Sequence, residues 1–155
     1  MFNINYPIHV LDNLNLTTEA YRELLQIEEA HKNKPMQSIQ IPLQDGLFKV
    51  NTTVNGQSVL SIIDTGANVC AMSTALIQRV KPIEIKRIQV NEPGKSIREV
   101  ALYMCQLHFG DTIKNIEVIE RVMDGYDYQF IVGTNFLKNH SFKYNPSENL
   151  LTIEL

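Results

Sequence analysis

Cysteine is scarce in this chain: Cys70 and Cys105 are the only two among 155 residues. Their spacing matches no metal-ligand pattern, and without a secretory signal they read as small reduced core residues rather than a disulfide. The four histidines, His9, His31, His108 and His140, are scattered, so neither a zinc site nor a cofactor is expected. Charge of one sign is lacking too. A formal net charge of −3 and a pI near 5.8 give no electrostatic basis for nucleic-acid binding. No apolar run approaches the roughly 20 residues of a membrane-spanning helix, and the start lacks the basic and apolar regions of a signal peptide, so no membrane partner is expected. Internal repeats and low-complexity segments are absent. What is present, 44% hydrophobic and 20% charged residues, is ordinary for one soluble domain with one core.

The chain divides into a leader, residues 1–35, and a domain, residues 36–155. Asn3, Asn5, Asn13 and Asn15 make the first stretch irregular. "TTEAYRELLQIEEAHKNK" then predicts a helix, with Thr17 or Thr18 as cap, Glu19 in the first turn, and Lys32 and Lys34 in the last. Ala20, Tyr21, Leu24, Leu25 and Ile27 give it a modest apolar stripe, and Pro35 ends it. It reads equally as a helix packed on the domain and as a mobile or docking leader.

From Met36 onward the pattern is β. "SIQIPL", "GLFKVNTTVNGQSVLSIID", "IEIKRIQV", "SIREVALYMCQLHF", "TIKNIEVIER", "YQFIVG" and "LLTIEL" are short, β-branched and roughly alternating. Turn signals separate them: Asp45-Gly46, Asn55-Gly56, Pro93-Gly94, Gly110-Asp111 and Asn145-Pro146. The expectation is an all-β closed barrel with one or two short helices. One helix follows Gly133 in "TNFLKNH". Residues Ser73 to Val80 read as a second short helix or a loop.

One stretch needs a chemical explanation. In "SIIDTGANVC", β-branched residues run into Asp64, with Gly66 two positions on. Asp, Thr and Gly are ordinary turn residues, and Asp-Thr-Gly arises by chance in roughly 3 of 100 chains this long. The setting is more specific. A strong hairpin signal precedes Asp64. Downstream stands "QFIVGTNFL", with Gly133 and Asn135. Between them lies a hairpin whose tip is Asn91-Glu92-Pro93-Gly94-Lys95, with Pro and Gly in the order of a type II turn. Asp45, Asp111, Asp124 and Asp127 read as solvated loop carboxylates.

These features together resemble a retropepsin, the single-domain aspartic protease of retroviruses and their relatives. The likeness spans about Gln37 to Leu155. More narrowly, "DTGANVC" followed by "YQFIVGTNFL" is similar to the proteases of plant pararetroviruses, the caulimovirus, badnavirus and tungrovirus group, with a retrotransposon or cellular relative as the alternative. The resemblance implies an aspartic endopeptidase that processes a viral polyprotein, in host cytoplasm or virion, as part of that polyprotein or released from it.

The chemistry accounts for the residue types. Two carboxylates about 3 Å apart cannot both ionise, so one acts as base toward a water and the other as acid. This chain carries one Asp-Thr-Gly, so a dyad requires Asp64 from each of two copies, and a homodimer follows. The resemblance makes Thr65 a grip on the partner's loop. Gly66 supplies a turn without a side chain, and Ala67 keeps the floor of a substrate cleft small. Lys86 to Val100 is the expected flap, closing over substrate with Asn91, Glu92, Pro93, Gly94 and Lys95 at its tip; an ordinary surface hairpin is the alternative. Relatives have glycine-rich tips, so a single tip glycine beside Pro93 predicts a stiffer flap. Lys86, Arg87, Lys95 and Arg98 read as a solvated face more than as contacts to acidic substrate.

Gly133 is expected to pass close behind the catalytic hairpin, and Asn135 to hydrogen-bond backbone there. Many retroviral relatives pair an aspartate after Asp-Thr-Gly-Ala with an arginine after the later glycine. Here those positions are Asn68 and Thr134, which predicts a neutral contact in place of the ion pair and a weaker dimer. The tail "FKYNPSENLLTIEL" reads as strand, turn, strand. It is expected, with "QSIQI", to interleave across the dimer; an edge strand within the chain is the alternative. Two readings compete with the enzyme: a non-catalytic retropepsin-like module for dimerisation or peptide binding, and a small β-barrel ligand binder with an accidental motif.

Overall fold

The computed structural model describes residue 20, residues 22–27 and residues 37–155. Ala20 and residues 22–27 are helical, with Leu25 and Ile27 exposed. The rest of the expected leader helix lies outside the described residues.

The remainder is mostly β. Ten strands run in the order β1 (Ser38–Gln44), β2 (Leu47–Val54), β3 (Gln57–Ile63), β4 (Cys70–Ser73), β5 (Ile83–Val90), β6 (Arg98–Phe109), β7 (Thr112–Arg121), β8 (Phe130–Val132), β9 (Ser141–Asn145) and β10 (Leu150–Glu154). Their spatial order is β5-β6-β7-β4-β8-β3-β2-β1-β10-β9. A second pairing of β2 with β6, Thr53 opposite His108 and Val54 opposite Leu107, folds the sheet back on itself. This is the expected closed β architecture.

Local chemistry explains the hairpins. Asn55 and Gly56 both adopt positive φ, 46° and 82°, as a two-residue type I′ turn requires, and Val54 pairs with Gln57 across it. Asp45 and Gly46 repeat the device between β1 and β2. Pro42 lies within β1 where its partner changes. It stands opposite Leu150 of β10, and the next residue, Leu43, is already opposite Phe48 of β2. A residue with no N–H is tolerated where one ladder gives way to another.

Strand β4 was not expected. Its four residues, Cys-Ala-Met-Ser, are all buried but none is β-branched, so propensity gave no strand signal. Burial between β7, which it pairs in parallel, and β8, antiparallel, makes it a strand. The ambiguous segment after it is helix α1 (Thr74–Val80). Ser73 caps α1 by accepting from the Leu76 N–H at 3.1 Å. Left-handed Lys81 closes it through its N–H to Ile77 O. Helix α2 (Thr134–Leu137) follows Gly133, as the sequence indicated.

The tail pairs within the chain. Strand β10 pairs with β1 of the same chain, Ser38 opposite Glu154 through Pro42 opposite Leu150, and β9 covers its other edge. Strand β10 therefore has both edges paired within the chain, while β9 pairs along one edge only, as the edge-strand alternative describes. The physical reason is burial: Leu151 and Ile153 enter the main core beside Ile41. Gly110, at φ +58°, holds this corner close. A side chain there would meet Ile39 Cδ1 and, at 2.9 Å, Leu155 Cδ1.

Candidate active site

Strands β3 and β8 run parallel, with Ile63 beside Val132, and the chain leaves β3 at Asp64. Its backbone N–H donates to Val132 O at 3.0 Å, so the loop starts from a fixed point. The Asp64 Oδ1 accepts from the Gly66 N–H at 2.9 Å, and the Ala67 N–H donates back to Asp64 O. A Cβ on Gly66 would sit 3.2 Å from that carboxylate oxygen, which is why a residue without a side chain belongs there. Asp64 is half-buried, whereas Thr65 and Gly66 are exposed. The carboxylate stands at the surface of one chain, on a loop set by backbone bonds.

The second motif lies directly behind this loop. A Cβ on Gly133 would meet Ala67 O, Val69 C and Val69 O, each at 2.8 Å. All three are backbone atoms that cannot yield cheaply. The Thr134 N–H donates to Ala67 O at 2.7 Å, and the Thr134 hydroxyl reaches Asn68 O at 3.4 Å. A neutral bond thus occupies the position where the relatives carry an ion pair. Asn135 is buried and satisfied by backbone on both sides: Oδ1 accepts from the Cys70 N–H and Nδ2 donates to Glu117 O, each at 2.9 Å. It links β4 to β7 beneath the loop.

Cys70 and Cys105 are buried free thiols. Burial pushes the Cys70 thiol up to about 12, against a hydrogen bond from the Gly133 N–H, so it stays protonated and unreactive.

The expected flap is the hairpin of β5 and β6, with Val90 opposite Arg98. Its tip carries the expected turn: Gly94 has φ +76°, and the Lys95 N–H donates to Glu92 O at 3.0 Å. Glu92 is half-buried and gathers the tip's cations, with Lys95 Nζ at 2.9 Å and Arg98 at 3.1 Å. Those bonds hold its carboxyl below the usual range. Arg87 pairs with Glu99 across the hairpin. Of the four flap cations considered, Arg87, Lys95 and Arg98 are engaged within the hairpin. Asn91, Pro93, Gly94 and Lys95 are exposed. Ile88 and Val90 of β5 and Val100 of β6 belong to an apolar cluster that also takes in Ala67, Ile62 and Tyr128.

Sequence reasoning missed the loop between β7 and β8. Met123 and Tyr128 are buried in that same cluster, and Tyr126 stacks on Tyr128 with ring centroids 5.1 Å apart. The signal available was "MDGYDY", two tyrosines flanking an aspartate just before "QFIVG"; Tyr128 and Gln129 were expected in the strand instead. Two carboxylates read as solvated are also paired. Lys49 Nζ lies 2.9 Å from Asp127 and 3.3 Å from Asp45. Both acids are far apart in sequence from each other, so no local pattern announced a shared lysine.

A small closed β domain with Asp-Thr-Gly on the loop after β3 and a Gly-x-Asn motif packed behind it has the retropepsin-like fold of aspartic proteases. Residues 50–139 match the family described as "gag-polyprotein putative aspartyl protease", and the chain belongs to that family. Among solved structures it is similar to a retropepsin-like aspartic protease from Rickettsia conorii. The two are 22% identical at a TM-score of 0.63, over 77% of this chain and 92% of that one. The retroviral protease-like domain of Ddi1 from Leishmania major is 21% identical at a TM-score of 0.45, covering 68% and 86%. Simian foamy virus (mac) protease is 13% identical at a TM-score of 0.46, covering 58% and 91%. No curated protein sequence matches the chain.

Proposed function

We propose that this chain is one half of a homodimeric aspartic endopeptidase, with a water activated between two Asp64 carboxylates. The observation that carries the reading is the placement of the one Asp-Thr-Gly. Its loop is fixed by Val132, Gly66 and Gly133, yet Thr65 and Gly66 face outward. A second copy meeting this surface supplies the second carboxylate; one ionised and one protonated acid then share the work of base and acid. Thr65 meets the partner's loop, Ala67 floors the cleft, and the tip from Asn91 to Lys95 closes over an extended peptide. Gly133 and Asn135 support the loop from behind.

The substrate we propose is a polyprotein, cut first at the chain's own boundaries, with action in host cytoplasm or virion. The strings "DTGANVC" and "YQFIVGTNFL" support a pararetrovirus source. The test compares processing of a longer precursor carrying Asp64 with one carrying Asp64→Asn. The substitution is expected to reduce cleavage by about 10³-fold or more, and a hydroxyl-bearing transition-state mimic is expected to inhibit the parent protein. Unchanged processing in Asp64→Asn removes the enzyme reading and leaves a peptide-binding or dimerisation module.

A further inference from the structure

The loop of residues 122–129 is tied firmly at one end. The Gln129 N–H donates to Leu60 O at 3.0 Å, and Gln129 O accepts from the Ser73 N–H at 2.9 Å. Further back it makes a turn, with the Tyr126 N–H on Met123 O at 3.2 Å and Gly125 at φ +85°. Between turn and anchor, Asp127 reaches across to Lys49 on β2. The Lys49 side chain is only 8% exposed, and its ammonium also binds Asp45 in the β1–β2 turn. One cation therefore bridges two turns far apart in sequence.

Tyr128, which follows Asp127, is 9% exposed and belongs to the apolar cluster that also holds Ile62, Ala67 and Val100. Burial pushes its phenol up, and the neighbouring Tyr126 and the negative charges of Asp127 and Asp64 act in the same direction. Tyr126 lies against it and is 63% exposed. The aromatic pair thus runs from the buried side of the cleft out to solvent.

We infer that Lys49 is a positioning residue of the substrate cleft: by holding Asp127 to the β1–β2 turn, it sets the Tyr126–Tyr128 stack as a wall beside Asp64. The inference rests on the protease reading of Asp64. Ion pairs with exposed carboxylates add little to global stability. A local tether nevertheless matters to a binding loop, because substrate must otherwise order that loop itself and loses affinity in doing so.

The experiment measures peptide hydrolysis by the full chain and by Lys49→Met, Lys49→Arg, Asp127→Asn and the Lys49→Met/Asp127→Asn double variant. Hydrogen exchange is followed in parallel on an Asp64→Asn background, where self-cleavage is absent. Lys49→Met is expected to raise KM about 5- to 20-fold with kcat within about 2-fold, the pattern of lost binding. Lys49→Arg keeps most of the affinity, Asp127→Asn reproduces the loss, and the double variant is no worse than either single one. Exchange quickens across residues 122–128 while β6 and β7 stay protected. An unchanged KM, additive single effects, or unchanged exchange in that loop overturns the inference while an active parent and a dead Asp64→Asn keep the protease reading. If the parent neither cuts peptide nor binds a hydroxyl-bearing mimic, both fall together.

Discussion

At Gly133 a single hydrogen atom decides whether the Asp64 loop can lie where it does. Gly133→Ala places a methyl 2.8 Å from backbone atoms of Ala67 and Val69. It is expected to cost about 2 kcal/mol or more, read from urea unfolding, and to displace Asp64. Asn135→Ala leaves the Cys70 N–H and Glu117 C=O without side-chain partners. The expected loss is about 2–4 kcal/mol by the same measurement, because buried polar groups lose bonds that water cannot replace. Both residues were recognisable beforehand, since an apolar pair followed by Gly-x-Asn is a compact signal. The bridge from Lys49 to Asp127 and the burial of Tyr128 were not, because the residues involved lie far apart along the chain and only the folded sheet brings them together. His140 gives a prediction in pH. Its ring stacks on Phe136 at 4.7 Å, and Nε2 is buried without a hydrogen-bond partner. Burial and then the positive charge of Lys114 hold its pKa below the ordinary 6.5, against a hydrogen bond with the Glu154 backbone. The unfolded chain therefore binds a proton more readily than the folded one. The contribution is complete above pH 6.5 and declines as pH falls through the lowered value. His140→Phe is expected to flatten that slope in an acid titration of unfolding; an unaltered slope would assign it to other groups.

Among the elements, the flap and the tail behave differently. The flap tip is braced by Glu92, which binds both Lys95 and Arg98. Because the Glu92 pKa is lowered from 4.5, the brace is whole above that pH and is lost as pH falls through the depressed value. Glu92→Gln is expected to quicken amide exchange in residues 91–97 relative to the parent at the same neutral pH. Equal rates in parent and variant at neutral pH would refute the brace. Hairpins were readable because Asn-Gly and Asp-Gly turns dictate positive φ, and because alternation gives one strand face to the core. The four residues of β4 were not, since a strand buried on both sides by parallel and antiparallel neighbours needs no alternation. The tail was correctly read as two strands, and its pairing with β1 inside the chain is the second of the two readings the sequence offered. Propensity says that a segment will pair and is silent on whether the mate is its own β1 or another chain's. Ile153→Ala, in the buried centre of that tail, is expected to cost about 2–5 kcal/mol in unfolding.

For the whole molecule, the internal pairing of β1, β10 and β9 gives a domain whose core closes without a second copy. The proposed chemistry nevertheless needs one. An assembly of self-sufficient halves, lacking the ion pair replaced by Thr134 and Asn68, is expected to associate weakly and to gain activity as it associates. Mixing in excess Asp64→Asn protein is therefore expected to suppress the parent's activity, because mixed pairs carry one aspartate at the centre. The most direct test measures peptide hydrolysis per chain and sedimentation of the same samples across a wide range of protein concentration. The account predicts that activity per chain rises in proportion to the fraction of paired chains and vanishes in the dilute limit. Constant activity per chain in samples that sediment as single molecules would contradict it.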